Sequence, residues 1–317
     1  MATLPGLRWR WALGAIVVAV VLAVVVVRSG DDAPDPGTGE TPVAESVVLD
    51  RLRPMPQDAK DDRPAIYDEG SGCQVTNGNR VPEICVSGDE SADRLLMLVG
   101  DSKIAQWETA YSDLGRAGGW RVETMTKSAC PFTDAAITAD RKVKTDCREW
   151  GRSALRKVIA AKPDVVVVSQ RASTALLEGK DERTGGAMVR GLHRYWQQLI
   201  DAGIQVVVHL DNPFPTTHPV YQCVEDHPDD VSRCAFDFDE GLAESAAPVL
   251  REAAESLPGV RIVDMGSAIC PGGVRCPAVI GDILLYRAGS HLTRTFVVSV
   301  EQQLGRELAA ATDGVFG

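Results

Sequence analysis

The chain has 317 residues, 44% of them hydrophobic and 24% charged, an ordinary composition for a globular protein with a sizeable core. Its formal net charge is −11, and Arg8, Arg10 and Arg28 all lie in or beside an apolar N-terminal run, so residues 29–317 alone carry −14 once those three are set aside. So acidic a body excludes nucleic-acid binding, or attachment to anionic lipid headgroups, driven by its own charge.

The first predicted element is that apolar run, Trp11 to Val27, with 17 uncharged residues at the short end of what spans a bilayer. Arg8 and Arg10 precede it, which places the N-terminus in the cytoplasm and everything after Arg28 outside. A cleaved signal peptide is the competing reading. Against it, "VVVVRSG" keeps valines where cleavage needs small residues. The expectation is a single-pass anchor over 1–28 in the cell membrane. Residues 29–66, rich in Pro, Asp and Glu and without periodicity, are predicted to form a disordered tether. A single domain is expected over 67–317.

Eight cysteines, at 73, 85, 130, 147, 223, 234, 270 and 276, fall into four local pairs, which suits disulfides in an oxidising compartment. Eight allow many connectivities, and the shortest set of loops is 73–85, 130–147, 223–234 and 270–276. No pair has the spacing of a zinc knuckle, so neither a metal nor a cofactor is expected.

From Arg94 the pattern alternates. "LLMLVG" predicts a buried strand, followed by a helix over about 103–117 and a strand at "WRVETM". A helix over about 148–161 precedes the apolar strand "PDVVVVSQ". Helices over about 184–202 and 239–256 lead into "IQVVVHLD" and "VRIVDM", and a last helix covers about 292–312. Apolar strands alternating with helices predict a doubly wound α/β domain: a parallel sheet in a three-layer α/β/α sandwich.

Ligands of such sheets sit beyond the carboxyl ends of the strands. In "LVGDSKIAQW" Ser102 stands at that edge, either as a nucleophile or, with Asp101, as the cap of the following helix. A nucleophilic serine needs a base. Of the five histidines, His193 lies in a predicted helix, His209 ends a strand, and His218 and His227 lie in a long loop. The spacing of nine between 209, 218 and 227 hints at metal ligands, but no secondary-structure period explains it. His291, in "LLYRAGSHLTRTF", follows a short strand and precedes the last helix, which returns to the same sheet edge. The candidate catalytic pair is therefore Ser102 and His291.

Together "LVGDSKIAQW", "TKSACP" and "YRAGSHLT" resemble the SGNH hydrolase family, and most of all the extracytoplasmic SGNH domains attached to, or working beside, acyltransferase-3 membrane proteins. The resemblance runs from Leu95 to the last helix. It implies a flavodoxin-like sandwich and O-acyl ester chemistry on cell-surface sugars, with Ser102 as nucleophile and His291 as base. The implied partners are a cell-surface glycan or acylated sugar and a separate integral membrane acyltransferase, with no nucleic acid. Two positions depart from the family pattern. Lys103 stands where GDSH has histidine, and Ala288 stands where the family has the aspartate that orients the catalytic imidazole. In serine proteases, removing that charge lowers turnover about 10⁴-fold. A backbone carbonyl, a water or Asp282 are the alternatives for Ala288.

Family oxyanion holes use the serine N–H, a glycine and an asparagine. No glycine follows "VETM", Gln170 offers an amide after "VVVVSQ", and Asn212 is read as shaping a turn before proline. Cys130 is expected in a disulfide, Trp107 in the core, and Asp101 on backbone donors around the turn. Three readings stand: an active tethered O-acyl esterase or transferase, a degenerate domain that binds a glycan or envelope partner without turnover, and a structural envelope module.

Overall fold

The computed structural model describes residues 46–316, except 69, 77, 140, 141 and 218. The predicted anchor and most of the tether therefore lie outside the described residues, and so does His218. Among the described residues no helix is long and apolar enough to cross a membrane.

A seven-stranded sheet forms the centre. Its strands are β1 (Gln74–Val75), β2 (Cys85–Gly88), β3 (Leu95–Gly100), β4 (Arg121–Lys127), β5 (Val165–Ser169), β6 (Gln205–His209) and β7 (Val260–Val263). The order is β4-β3-β5-β6-β7, all parallel, with β1 parallel and β2 antiparallel on the outer edge of β4. The chain thus reverses its winding between β3 and β5, and a crevice opens there at the carboxyl ends. The sheet and its helices realise the predicted α/β class.

Period-two alternation sorts the apolar strands into two cores. Leu96, Leu98, Val165, Val167 and Val207 face one way, with Trp107, Tyr111 and Leu304. Leu95, Met97, Val99, Val166, Val168 and Val208 face the other, with Trp150, Trp196 and Leu250. Each such side chain contributes roughly 1.5–3 kcal/mol by leaving water. Against that gain a buried ammonium is tolerated only with partners, and Lys127 shows it: its Nζ donates to Thr76 O at 2.7 Å and Asn79 O at 2.6 Å beside Asp146 at 3.2 Å.

Three predicted helices are broken. The first becomes α1 (Ser102–Ala105) and α2 (Glu108–Gly118). The break falls beside Gln106, whose side chain binds distant loops. The segments α3 (Thr145–Ala161) and α4 (Gly185–Asp201) are continuous, as expected. The helix expected over 239–256 splits into α5 (Phe238–Ala243) and α6 (Ala247–Glu255), where the Ala246 N–H turns to Asp211 Oδ2 at 3.0 Å. At the C-terminus, Tyr286–Ala288 (β8) and His291–Leu292 (β9) form a small hairpin. The last helix begins only at Arg294, because Thr293 Oγ1 accepts the Phe296 N–H as its cap. It runs as α7 (Arg294–Ser299) and α8 (Glu301–Ala311).

The tether reading needs correction at its C-terminal end. From Val47 onward the chain packs on the domain, with Leu52 and Ala59 buried in the first core and Ile66 also buried. Arg53 exchanges main-chain bonds with Asp282 and Leu284. Asp62 accepts the Arg294 N–H through its carbonyl and the Thr295 N–H through its carboxylate, both at 3.0 Å, and so caps α7. Short 3-10 turns that pair with a segment far along the chain leave no periodicity to read.

All four expected disulfides, 73–85, 130–147, 223–234 and 270–276, are present. The first ties β1 to β2 along the sheet edge.

Candidate active site

Gly100 ends β3 against Ser169 on β5, so closely that a Cβ there would lie 2.2 Å from the Ser169 carbonyl oxygen. Only glycine lets the two strands converge this tightly at the crevice. Asp101 follows, buried, and its carboxylate accepts the Lys103 N–H at 2.9 Å and the Arg171 N–H at 2.9 Å. It holds the turn through backbone donors, and burial pushes its carboxyl up to about 6.

Ser102 then opens α1, half-buried, with its Oγ 2.8 Å from His291 Nε2. The two candidate residues, 189 positions apart, meet within hydrogen-bond distance. His291 Nδ1 lies 3.2 Å from the Ala288 carbonyl oxygen. A carbonyl can only accept, so Nδ1 carries the proton and the Nε2 lone pair faces the serine. Of the alternatives to the family aspartate, this is the backbone one; Asp282 is exposed and uses its carbonyl on Arg53. Among the described residues no carboxylate touches the imidazole. Burial, followed by the charges of Lys103 and Arg287, pushes His291 down to about 3.

Lys103, which the sequence marks only as a departure from the family pattern, has a structural role here. Its side chain is fully buried, and Nζ pairs with Asp211 Oδ1 at 2.9 Å. The same Nζ donates to Asn212 Oδ1 at 2.6 Å and to the Ser290 carbonyl at 2.8 Å. Burial lowers its pKa, while Asp211 opposes that shift. Asn212 Nδ2 donates to the same Ser290 carbonyl at 2.9 Å. Gln106 completes the network, accepting from the Leu292 N–H at 3.0 Å and donating to Asn212. The groups around α1 and after β6 thus clamp both neighbours of His291. The lone signal in the sequence was an ammonium directly after the nucleophile.

Asn212 is consumed by this clamp, and the Gln170 amide donates to the Ala172 carbonyl at 2.6 Å, so neither amide points at a substrate. Ala129 holds a left-handed φ of 52°, in the loop where the family places glycine. The Ser102 N–H, first amide of α1, has no acceptor within its helix and is the donor nearest the nucleophile.

Tyr67 closes the other side. Its hydroxyl donates to the Ser102 carbonyl at 2.8 Å, and the Arg287 guanidinium stacks on its ring, 4.9 Å from the centroid. Tyr67, Ser102, Ser128, Arg287, Ala288 and His291 all line a cleft of about 810 Å³. The other described histidines stand apart. His193 bonds Ala253 O at 2.9 Å; His209 is buried against Tyr111 Oη at 2.9 Å and the Trp107 ring at 4.5 Å. Trp107 is a core residue, as expected.

Comparison with known proteins bears on the family and the fold. A sequence model described as "SGNH domain (fused to AT3 domains)" matches residues 72–306. Among solved structures, the chain is similar to the periplasmic domain of a lipopolysaccharide acetyltransferase from Salmonella ser. Paratyphi A, at 13% identity and a TM-score of 0.50, covering 75% of this chain and 86% of that one. An acetyl-xylooligosaccharide esterase from Geobacillus Stearmophilus matches at 13% identity and a TM-score of 0.42, covering 69% of this chain and 96% of that one. At 13% identity the likeness to the acetyltransferase domain speaks for the fold alone. Comparison with curated proteins gives no match. With the family model spanning well over half of the chain, the protein belongs to the SGNH family, in the group whose domains are fused to AT3 domains.

Proposed function

We propose that the domain is a serine O-acyl esterase or acyltransferase acting on cell-surface glycans, held at the outer face of the cell membrane by the Trp11 to Val27 segment. The observation that carries this reading is the 2.8 Å contact between Ser102 Oγ and His291 Nε2, with the imidazole proton fixed on Nδ1 by the Ala288 carbonyl. Family membership supports acyl ester chemistry, and the lipopolysaccharide acetyltransferase domain supplies a precedent for acetyl chemistry on a surface glycan.

In this mechanism Ser102 Oγ attacks the ester carbonyl carbon while its proton passes to His291 Nε2. The carbonyl oxygen becomes an oxyanion beside the Ser102 N–H. On collapse the ester C–O bond breaks and the departing alkoxide takes the proton from Nε2, leaving an acyl-serine. Water, or a sugar hydroxyl, then attacks the acyl carbon and gives its proton to Nε2, which returns it to Ser102 Oγ. Acetate leaves in the first case and a new sugar ester in the second. A separate membrane acyltransferase serves as the source of acyl groups for the transfer route.

That no carboxylate among the described residues reaches His291 favours a second reading, a domain that binds its glycan without turnover. Labelling the full-length protein with a serine-reactive phosphonate separates the two. Modification of the natural protein that disappears in Ser102→Ala establishes an activated serine; equal, background labelling of both transfers the weight to binding.

A further inference from the structure

We propose that Arg287 forms an anion-binding subsite beside the nucleophile, so that the sugar substrate is one carrying a carboxylate or a phosphate next to the acylated position. The proposal rests on the ester reading of Ser102 and His291 and names the substrate class within it.

Three cationic side chains are buried among the described residues: Lys103, Lys127 and Arg287. The first two are neutralised, by Asp211 at 2.9 Å and Asp146 at 3.2 Å. Arg287 is 7% exposed, yet among the described residues no carboxylate lies within ion-pair distance and its Nε has no acceptor. Asp62, the acid whose charge reaches it, and Asp68, which lines the same cleft, are already engaged. Asp62 caps α7 through the Thr295 N–H, and Asp68 faces Arg63 at 3.8 Å. A guanidinium does not shed its proton at physiological pH, so a charge withdrawn from water persists and calls for an external counter-ion.

The place of that charge gives it a function. Arg287 lies on β8, next to the Ala288 carbonyl that orients His291, and it lines the same cleft as Ser102 and His291. A single tyrosine ring separates its guanidinium from the Ser102 main chain. The planar guanidinium suits bidentate contact with carboxylate or phosphate oxygens. The seated anion would also act on the chemistry. Lys103 and Arg287 both oppose a proton on His291, and an anion opposite Arg287 offsets one of them. Attack by Ser102, which creates imidazolium, is then easier on an anionic ester than on a neutral one.

The test compares matched esters: O-acetyl-lactate with O-acetyl-lactamide for a carboxylate, and 1-acetylglycerol 3-phosphate with 1-acetylglycerol for a phosphate. The natural protein should prefer the anionic member of at least one pair by tenfold or more in kcat/KM, and the pair that shows it identifies the anion. Arg287→Gln should bring that ratio close to one, whereas Arg287→Lys should keep a preference. Equal rates within both pairs, or a ratio unchanged in Arg287→Gln, overturns the subsite. The ratio in the natural protein needs no variant, so a poorly folded Arg287→Gln does not shield the idea. Equilibrium binding of the same probes to Ser102→Ala separates the two readings. Anion-selective binding without turnover in the natural protein sinks the ester reading and sustains the subsite. Turnover without anion preference sinks the subsite alone.

Discussion

Replacing Ala288 by aspartate tests whether the backbone carbonyl is what limits this site. Ala288 is half-buried on the cleft wall, and its carbonyl, 3.2 Å from His291 Nδ1, is a neutral acceptor for a proton that becomes part of a cation during attack. A hydrogen bond to a neutral group contributes about 0.5–1.5 kcal/mol and one to a charged group about 1.5–3. The exchange therefore stabilises the transition state by about 1–2 kcal/mol, or roughly 5- to 30-fold in rate. The neighbouring Lys103 and Arg287 charges favour the new carboxylate, so little of the gain is lost to burying it. The pH dependence carries a second signature. In the natural protein His291, pushed down to about 3, stays a free base across the working range. The added carboxylate raises the imidazole pKa, so the variant begins to lose its base at higher pH. The ratio of variant to natural kcat/KM for acetate release from a simple acetyl ester should therefore be largest near pH 8 and shrink as pH falls below neutrality. Titration of Asp101, common to both proteins, cancels in that ratio. His291→Ala in the Ala288→Asp background should abolish the gain. A folded Ala288→Asp with unchanged rate and a flat ratio refutes the reasoning.

Other perturbations follow from the buried network. Lys103→Met strands the Asp211 carboxylate, and breaking a buried pair costs about 3–5 kcal/mol. Thermal unfolding should show a fall of about 10 °C, and a fall of less than about 3 °C would mean the clamp is not holding the loops. Gly100→Ala drives a methyl to within 2.2 Å of the Ser169 carbonyl, an overpacking that should cost about 3 kcal/mol in denaturant titration and weaken activity by moving Ser102; wild-type stability in this variant would contradict the tight convergence of β3 and β5. Burial pushes His209 down to about 3, so the unfolded chain takes up a proton there that the native protein refuses. The stability it gives is full above its unfolded value near 6.5 and is lost as pH falls toward 3. The advantage of the natural protein over His209→Gln should thus shrink by about 3 kcal/mol between pH 7 and pH 4, at about 1.4 kcal/mol per unit, and a constant difference would place His209 in contact with water.

The sequence by itself determined the elements whose signal is local. "LLMLVG" and "VVVVS" are buried on both faces, so their composition alone announces central parallel strands, and winding such strands with helices leaves few topologies. The short cysteine gaps, the serine at the end of β3 and the histidine before the last helix were legible for the same reason, since each depends on chain neighbours or on the common edge of a parallel sheet. Tertiary structure alone decided what depends on long-range pairing. Residues 47–66 carry no periodicity because their order comes from Asp282, Leu284 and the amino end of α7, more than 200 positions away. Lys103 is only a departure from the family pattern in the sequence, until Asp211, Asn212 and Ser290 converge on its ammonium. The missing aspartate is answered by a main-chain carbonyl, and every residue has one, so no side-chain identity can signal which of them reaches His291. Only the turn of the β8–β9 hairpin brings the Ala288 carbonyl to Nδ1.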